Sequence, residues 1–150
     1  MDPSLRLAID ESEALDRNAV AVAPLERSAL FRRFETLFAG ADILITPTVA
    51  APPPKAEHEA WEPVHINGKD AGTLRAAWYN YPAPFNLTGH PAISIPCGWT
   101  ADGLPIGLQA VARWHCDQRL IDLAAAIEVL QPWAQRWPAM ARADAEGSQA

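Results

Sequence analysis

Ala92-Ile93-Ser94-Ile95-Pro96 and Ile106-Gly107-Leu108-Gln109-Ala110-Val111-Ala112, separated by Ala101-Asp102-Gly103, decide how this chain folds. Both runs are apolar, the first is rich in β-branched side chains, and turn residues lie between them, which predicts an antiparallel hairpin. Downstream, Asp117 is a good N-cap residue, and Leu120, Leu123, Ala124, Ile127 and Leu130 recur at helical spacing until Pro132. That pattern predicts a final amphipathic helix with those five side chains on its buried face. Residues 139–150 have no periodicity and read as a disordered tail.

Upstream, Asp42-Ile43-Leu44-Ile45-Thr46-Pro47 is a short, nearly continuous apolar run. Such a run fits a strand buried on both faces, of the kind found in parallel or mixed sheets. Before it, Leu30, Phe34, Leu37 and Phe38 mark one stripe of a helix that starts at Pro24 and ends at Gly40, the glycine supplying a left-handed residue. Asp10 and Glu13 have capping-box spacing and predict a helix over about residues 11–22. Residues 49–64 carry Pro52, Pro53, Pro54 and Pro63, so this segment resists both helix and central strand and reads as a surface excursion. Asn67-Gly68 between Val64-His65-Ile66 and Lys69-Asp70-Ala71 is the two-residue turn chemistry of a small hairpin. Leu74 to Tyr79 can form a helical turn or two before Pro82 and Pro84 stop it. The chain is thus α/β, with about three helices, a buried strand and a C-terminal antiparallel hairpin.

The 150 residues carry 12 Lys plus Arg against 18 Asp plus Glu, a net charge of −6. One ordinary globular domain, or a piece of one, accommodates that length, and 49% hydrophobic residues rule out disorder along the whole chain. No basic run exceeds Arg32-Arg33, so neither nucleic acid nor an anionic membrane is an expected partner. No apolar stretch is long enough to span a membrane, and the first residues lack the features of a secretory signal. Cys97 and Cys116 form no CxxC pair, which fits a reducing cytoplasm.

His58, His65, His90 and His115 have no spacing that would converge on a metal ion, so no metal ligand is expected, and no motif points to a cofactor. Ser94 with His90 or His115 could form a nucleophile and base, but Ser94 sits inside a strand and no GxSxG elbow surrounds it. A packed structural serine is the simpler reading. Trp61, Trp78, Tyr79, Tyr81 and Phe85 crowd a non-periodic segment leading to Asn86. Amphipathic rings on loops suit the wall of a small-molecule cleft, although aromatics and prolines also hold long loops down by packing on each other.

The run Asn86-Leu87-Thr88-Gly89-His90-Pro91-Ala92-Ile93-Ser94-Ile95-Pro96-Cys97-Gly98, followed by Gly103-Leu104-Pro105-Ile106-Gly107-Leu108-Gln109, resembles the C-terminal region of the amidase signature family. Phe38 through Thr48, a helix end, an acidic residue and the strand Ile43 to Thr48, resembles the family's D-x-L-L-x-P-T segment, and the resemblance runs over about residues 12–130. It implies that residues 1–150 are the C-terminal portion of a single, considerably longer amidase domain with a mixed sheet covered by helices. It further implies hydrolysis of carboxylic amides by a nucleophilic serine, a second serine and a lysine base, all N-terminal to the region matched. Lys55 and Lys69 are the only lysines here, and no Gly/Ser-rich run occurs, so no catalytic residue carries over.

The resemblance therefore assigns this chain strands of the central sheet and one wall of the substrate pocket, with Trp78, Tyr79, Tyr81 and Asn86 as substrate-binding candidates. In the glutamine-using amidotransferase branch an acidic residue lies seven positions before the motif asparagine, and counting back from Asn86 lands on Tyr79. That departure implies a less polar amide than glutamine. The implied partners are a small-molecule amide, bound by the complete enzyme, and the N-terminal amidase portion, with self-association of the chain when alone. Two other readings stay open at the level of sequence: a non-catalytic subunit completed by a separately encoded N-terminal half, and an independent small-molecule binding module.

Overall fold

A computed structural model describes residues 3–138. In chain order the elements are α1 (Pro3–Glu13), α2 (Arg17–Phe38), β1 (Ile43–Pro47), β2 (Pro63–Ile66), β3 (Lys69–Thr73), α3 (Leu74–Trp78), α4 (Ala83–Thr88), β4 (Ala92–Trp99), β5 (Pro105–Ala112) and α5 (Asp117–Leu130). The expected tail, residues 139–150, lies outside the described residues.

The β4–β5 hairpin forms as its sequence predicts, with Ile93 opposite Ala110 and Ile95 opposite Leu108. Its turn is closed by Gly103, whose φ of +82° requires a residue without a side chain. The Thr100 hydroxyl there accepts the Leu104 N–H at 3.0 Å. β1 pairs with the other side of β5, also antiparallel, giving the order β1-β5-β4. The expectation that β1 is buried on both faces is corrected: it is an outer strand among the described residues, and Ile45 is 57% exposed. Antiparallel outer strands need only one covered face.

Alternation along β5 divides the core in two. Leu108, Ala110 and Ala112 share a face with Ile43, Ile93 and Ile95, and α5 covers it with Leu120, Leu123, Ala124 and Ile127. Val111, one residue out of phase, packs on the opposite side with Leu44 of β1 and with Phe34, Phe38 and Phe85, drawn from α2 and α4. Successive strand residues point to opposite faces, so one strand serves both clusters. Past α5, Trp133 packs on the first cluster, and the Arg136 guanidinium lies 4.1 Å over the Trp99 ring near the hairpin tip.

The smaller hairpin, β2–β3, turns on Asn67 and Gly68 with φ of +51° and +76°, the geometry its Asn-Gly pair selects. Several helix ends fall elsewhere than the sequence suggests. Asp10 lies inside α1, not at a capping box, and the chain breaks before α2, whose N-cap is Asp16. Pro24 sits within α2, not at its start. Its ring leaves one carbonyl without a backbone donor, which is tolerable on this exposed stretch because the carbonyl can reach solvent. α2 ends through right-handed Ala39 (φ −67°) and needs no left-handed glycine, so Gly40 is not its cap in the expected sense.

Pro82 and Pro84 open a helix as well as bounding one: Pro82 is the N-cap of α4 and Pro84 lies in its first turn, where a missing N–H costs nothing. α4 then ends in left-handed Gly89 (φ +74°), whose N–H returns to the Phe85 carbonyl at 2.8 Å. For α5, Cys116 takes the N-cap position and Asp117 falls in the first turn, where its charge complements the helix dipole. Leu130 does not join the buried face of α5; it is 84% exposed, because the helix outruns the sheet beneath it.

Candidate substrate-pocket wall

Thr73 accepts the Ala76 N–H and so starts α3 directly out of β3, which carries Trp78 and Tyr79 to the end of one helical turn. Neighbouring positions on so short a helix diverge. Trp78 turns back to the Pro-rich excursion, donating its indole N–H to the Ala51 carbonyl at 2.7 Å, and lines a concavity of about 210 Å³ with Pro52, Ile66, Leu74 and Ala77. Tyr79 is half exposed and lies on a second concavity of about 530 Å³, lined among the described residues by Ala60, Leu74, Ala83 and Asn86 as well. The 79–83 turn is closed by the Ala83 N–H donating to the Tyr79 carbonyl at 3.0 Å. α4 then projects Asn86 into the same space as Tyr79.

Of the four candidates, then, Tyr79 and Asn86 share a concavity, Trp78 lines the adjoining one, and the Tyr81 ring lines neither. Tyr81 participates through its backbone: its carbonyl accepts from the Gln109 carboxamide at 3.2 Å. Phe85 leaves the aromatic group altogether and is buried in the core, its ring centroid 4.9 Å from Phe34. The aromatic segment is therefore partly wall and partly ordinary packing.

The chemistry of the Tyr79–Asn86 concavity is set by what lines it. No charged side chain is among its described lining residues. Asn86 takes no hydrogen bond from described residues, so its carboxamide keeps two N–H donors and a carbonyl acceptor for whatever enters. A planar amide presents the complementary pair of groups. The apolar lining of Ala60, Leu74 and Ala83 suits an uncharged substituent beside it.

The alternative nucleophile and bases are placed elsewhere. Ser94 Oγ is 2.7 Å from Thr48 Oγ1, a hydroxyl pair bridging β4 and the end of β1 above Gly107. His90 is buried among Phe31, Phe34 and Phe38, with Nδ1 2.8 Å from Thr88 Oγ1 and Nε2 3.1 Å from Glu35 Oε1. Its Nε2–H donates to the Glu35 carboxylate, tying α4's exit to α2. His115 has φ +62° and lies against the Trp114 ring. Neither imidazole is joined to Ser94, so a structural role fits all three. His58 is 3.4 Å from Glu62 in the excursion.

Sequence reasoning did not single out Gln109, Thr46 or Thr48. Gln109 stands opposite Thr46 on one side and Ser94 on the other, a polar row across the sheet. The signal was present: in the run from Ile106 to Ala112, Gln109 is the one polar side chain, in phase with Gly107.

Comparison with known proteins bears on this arrangement. The sequence model of the family described as Amidase matches residues 3–121. An acylamidase of Rhodococcus erythropolis is 32% identical over 141 residues, covering 93% of this chain and 28% of its own length. The 6-aminohexanoate-cyclic-dimer hydrolase of Paenarthrobacter ureafaciens is 37% identical over 107 residues, covering 67% of this chain and 21% of its own. Among solved structures, a bacterial aryl acylamidase of the amidase signature family superposes with a TM-score of 0.76 at 28% identity, over 90% of this chain and 27% of that one. The chain thus spans about a fifth to a little over a quarter of the length of the relatives it matches. Its helices and antiparallel sheet correspond to the C-terminal part of that fold, and the chain belongs to the amidase signature family.

Proposed function

We propose that this chain is the wall-forming C-terminal part of an amidase that hydrolyses uncharged carboxylic amides, with Tyr79 and Asn86 facing the substrate and Trp78 and Tyr81 holding that wall in place. The observation that carries the reading is the shared Tyr79–Asn86 concavity, where a free carboxamide stands beside apolar lining. Amide hydrolysis also needs an activated nucleophile, a base within hydrogen-bond reach and oxyanion donors. Such groups fail together when members are missing. Ser94 is paired with Thr48, and both lysines, Lys55 and Lys69, lie in the excursion and small hairpin, so the nucleophile and base come from the N-terminal amidase portion. That portion is the chain's partner, and it brings a serine and lysine that need no cofactor.

The setting is the cytoplasm, where two unpaired thiols are stable. Among the described residues no helix is long and apolar enough to cross a membrane.

Two measurements test the proposal. The purified chain, treated with a serine-directed phosphonate and examined by intact mass, should remain unlabelled and turn over no amide. Stoichiometric labelling of one serine, with turnover abolished by its replacement with Ala, would reverse the assignment. In the complete amidase, Asn86→Ala should raise KM for neutral amides by about five- to tenfold, the value of one or two hydrogen bonds. An unchanged KM would remove Asn86 from the substrate.

A further inference from the structure

Gln109 is a buried carboxamide in an otherwise apolar strand, only 4% exposed. Its side-chain nitrogen donates twice, to Thr46 Oγ1 at 3.0 Å and to the Tyr81 carbonyl at 3.2 Å. The Tyr81 carbonyl can only accept, so it fixes which end of the amide is nitrogen. What the side chain contributes is its pair of donors. A buried carboxamide must be hydrogen-bonded to be tolerated, whereas an apolar side chain would simply extend the adjacent Val111–Phe85 packing. Position 109 gives up that packing in exchange for a bond to the 79–83 turn.

The turn it grips is the one that spaces Tyr79 from Asn86. Residue 81 lies two positions after Tyr79 and one before Pro82, whose carbonyl accepts the Phe85 and Asn86 N–H groups at 3.1 Å each. Among the described residues, the Gln109 bond is the turn's direct hydrogen bond to the sheet. Thr46, the second acceptor, stands opposite Gln109 on β1 and locks the side chain's reach. Resting on the reading that Tyr79 and Asn86 face substrate, we infer that Gln109 is a positioning residue: it fixes the separation of Tyr79 and Asn86 by anchoring the Tyr81 carbonyl to the sheet, and thereby sets which amides the wall accepts.

The test uses Gln109→Met, which keeps length and loses both donors, and Gln109→Glu, which keeps shape but as a carboxylate cannot donate to a carbonyl. In the isolated chain, hydrogen exchange of residues 83–86 should quicken about fivefold or more in both variants, the fold-change of about 1 kcal/mol for one lost bond. Exchange over 117–130 should stay within about twofold of the parent, since α5 covers the other sheet face. Unchanged exchange over 83–86, or equal acceleration in both segments, overturns the inference, the latter marking Gln109 as an ordinary core residue. In the complete amidase, Gln109→Met should shift the kcat/KM ratio between a small and a bulky neutral amide in the direction Asn86→Ala shifts it. The double variant should then add less than the two singles together. Additive effects would also overturn it. If Asn86→Ala itself leaves that ratio unchanged, the substrate-wall reading fails, while the exchange result still decides whether Gln109 holds the turn.

Discussion

Gly107 has no side chain, and the hydroxyls of Thr48 and Ser94 meet above it. A Cβ placed there would come within 2.7 Å of Thr48 Oγ1 and 2.9 Å of Ser94 Oγ, closer than real contacts allow. We expect Gly107→Ala to lower stability by about 1–3 kcal/mol, as overpacking does, read from the urea midpoint. Adding Ser94→Ala should recover part of the loss; full recovery would show that Thr48 is not a second obstacle. Tyr79 carries a different expectation. In the complete amidase, Tyr79→Asp should move relative kcat/KM toward amides bearing a nearby amino group, because a carboxylate partly shielded from water rewards a cation. Unchanged selectivity would show that position 79 does not face substrate. Asn86 and Tyr79 could be named as candidates from the sequence, the first as part of an ordered motif and the second as an aromatic at the position counted back from it. Gln109 was not, because its meaning depends on a turn 28 residues away that only the fold brings to it.

Elements whose shape is written into neighbouring residues could be read in advance; those decided at a distance could not. The Asn67-Gly68 and Ala101-Asp102-Gly103 turns carry their own geometry, so both hairpins are present as expected. The edge position of β1 and the length of α5 beyond the sheet depend on what packs where, and sequence periodicity alone treats Leu120 and Leu130 alike. The structure separates them: Leu120 is 3% exposed among Ile95, Ala110 and Ala112, while Leu130 projects past the sheet. Leu120→Ala should therefore cost about 2–5 kcal/mol by cavity formation. Leu130→Ala should stay within about 0.5 kcal/mol, as surface changes do. Matched urea titrations of the two variants check this, and a loss at Leu130 comparable to that at Leu120 would place α5 in a different register on the sheet. Pro24 teaches the same point from the other side. Proline marks a helix start when read locally, yet α2 continues through it because the freed carbonyl can reach water.

At the scale of the whole molecule, the β1-β5-β4 sheet has two outer strands, and among the described residues no further strand pairs with either. Backbone N–H and C=O groups along such edges are templates for pairing with another strand. Apolar side chains are exposed with them: Ile45 on the outer strand β1, Ile106 on β5 beyond the stretch that β1 pairs, and Leu87 and Trp114 outside the sheet. In the complete amidase proposed above, the remaining three-quarters or so of the relatives' length would cover surfaces of this kind. Among the described residues no strand pairs with those edges. The chain alone should self-associate as its concentration rises, seen by sedimentation velocity, and bind a dye that reports exposed apolar surface. Ile45→Lys places a charge on the β1 edge at an exposed position opposite Ala110, on the sheet face that α5 covers, and should shift the association to higher concentration, since inward or edge lysines are how sheets resist pairing. A compact monomer at high concentration with little dye bound would show instead that the chain covers its own edges, and would count against its being a part of a larger amidase. An unchanged association in Ile45→Lys would move the sticky surface from β1 to the β4 edge, where Ala92→Lys is the corresponding trial, its site exposed on the other outer strand.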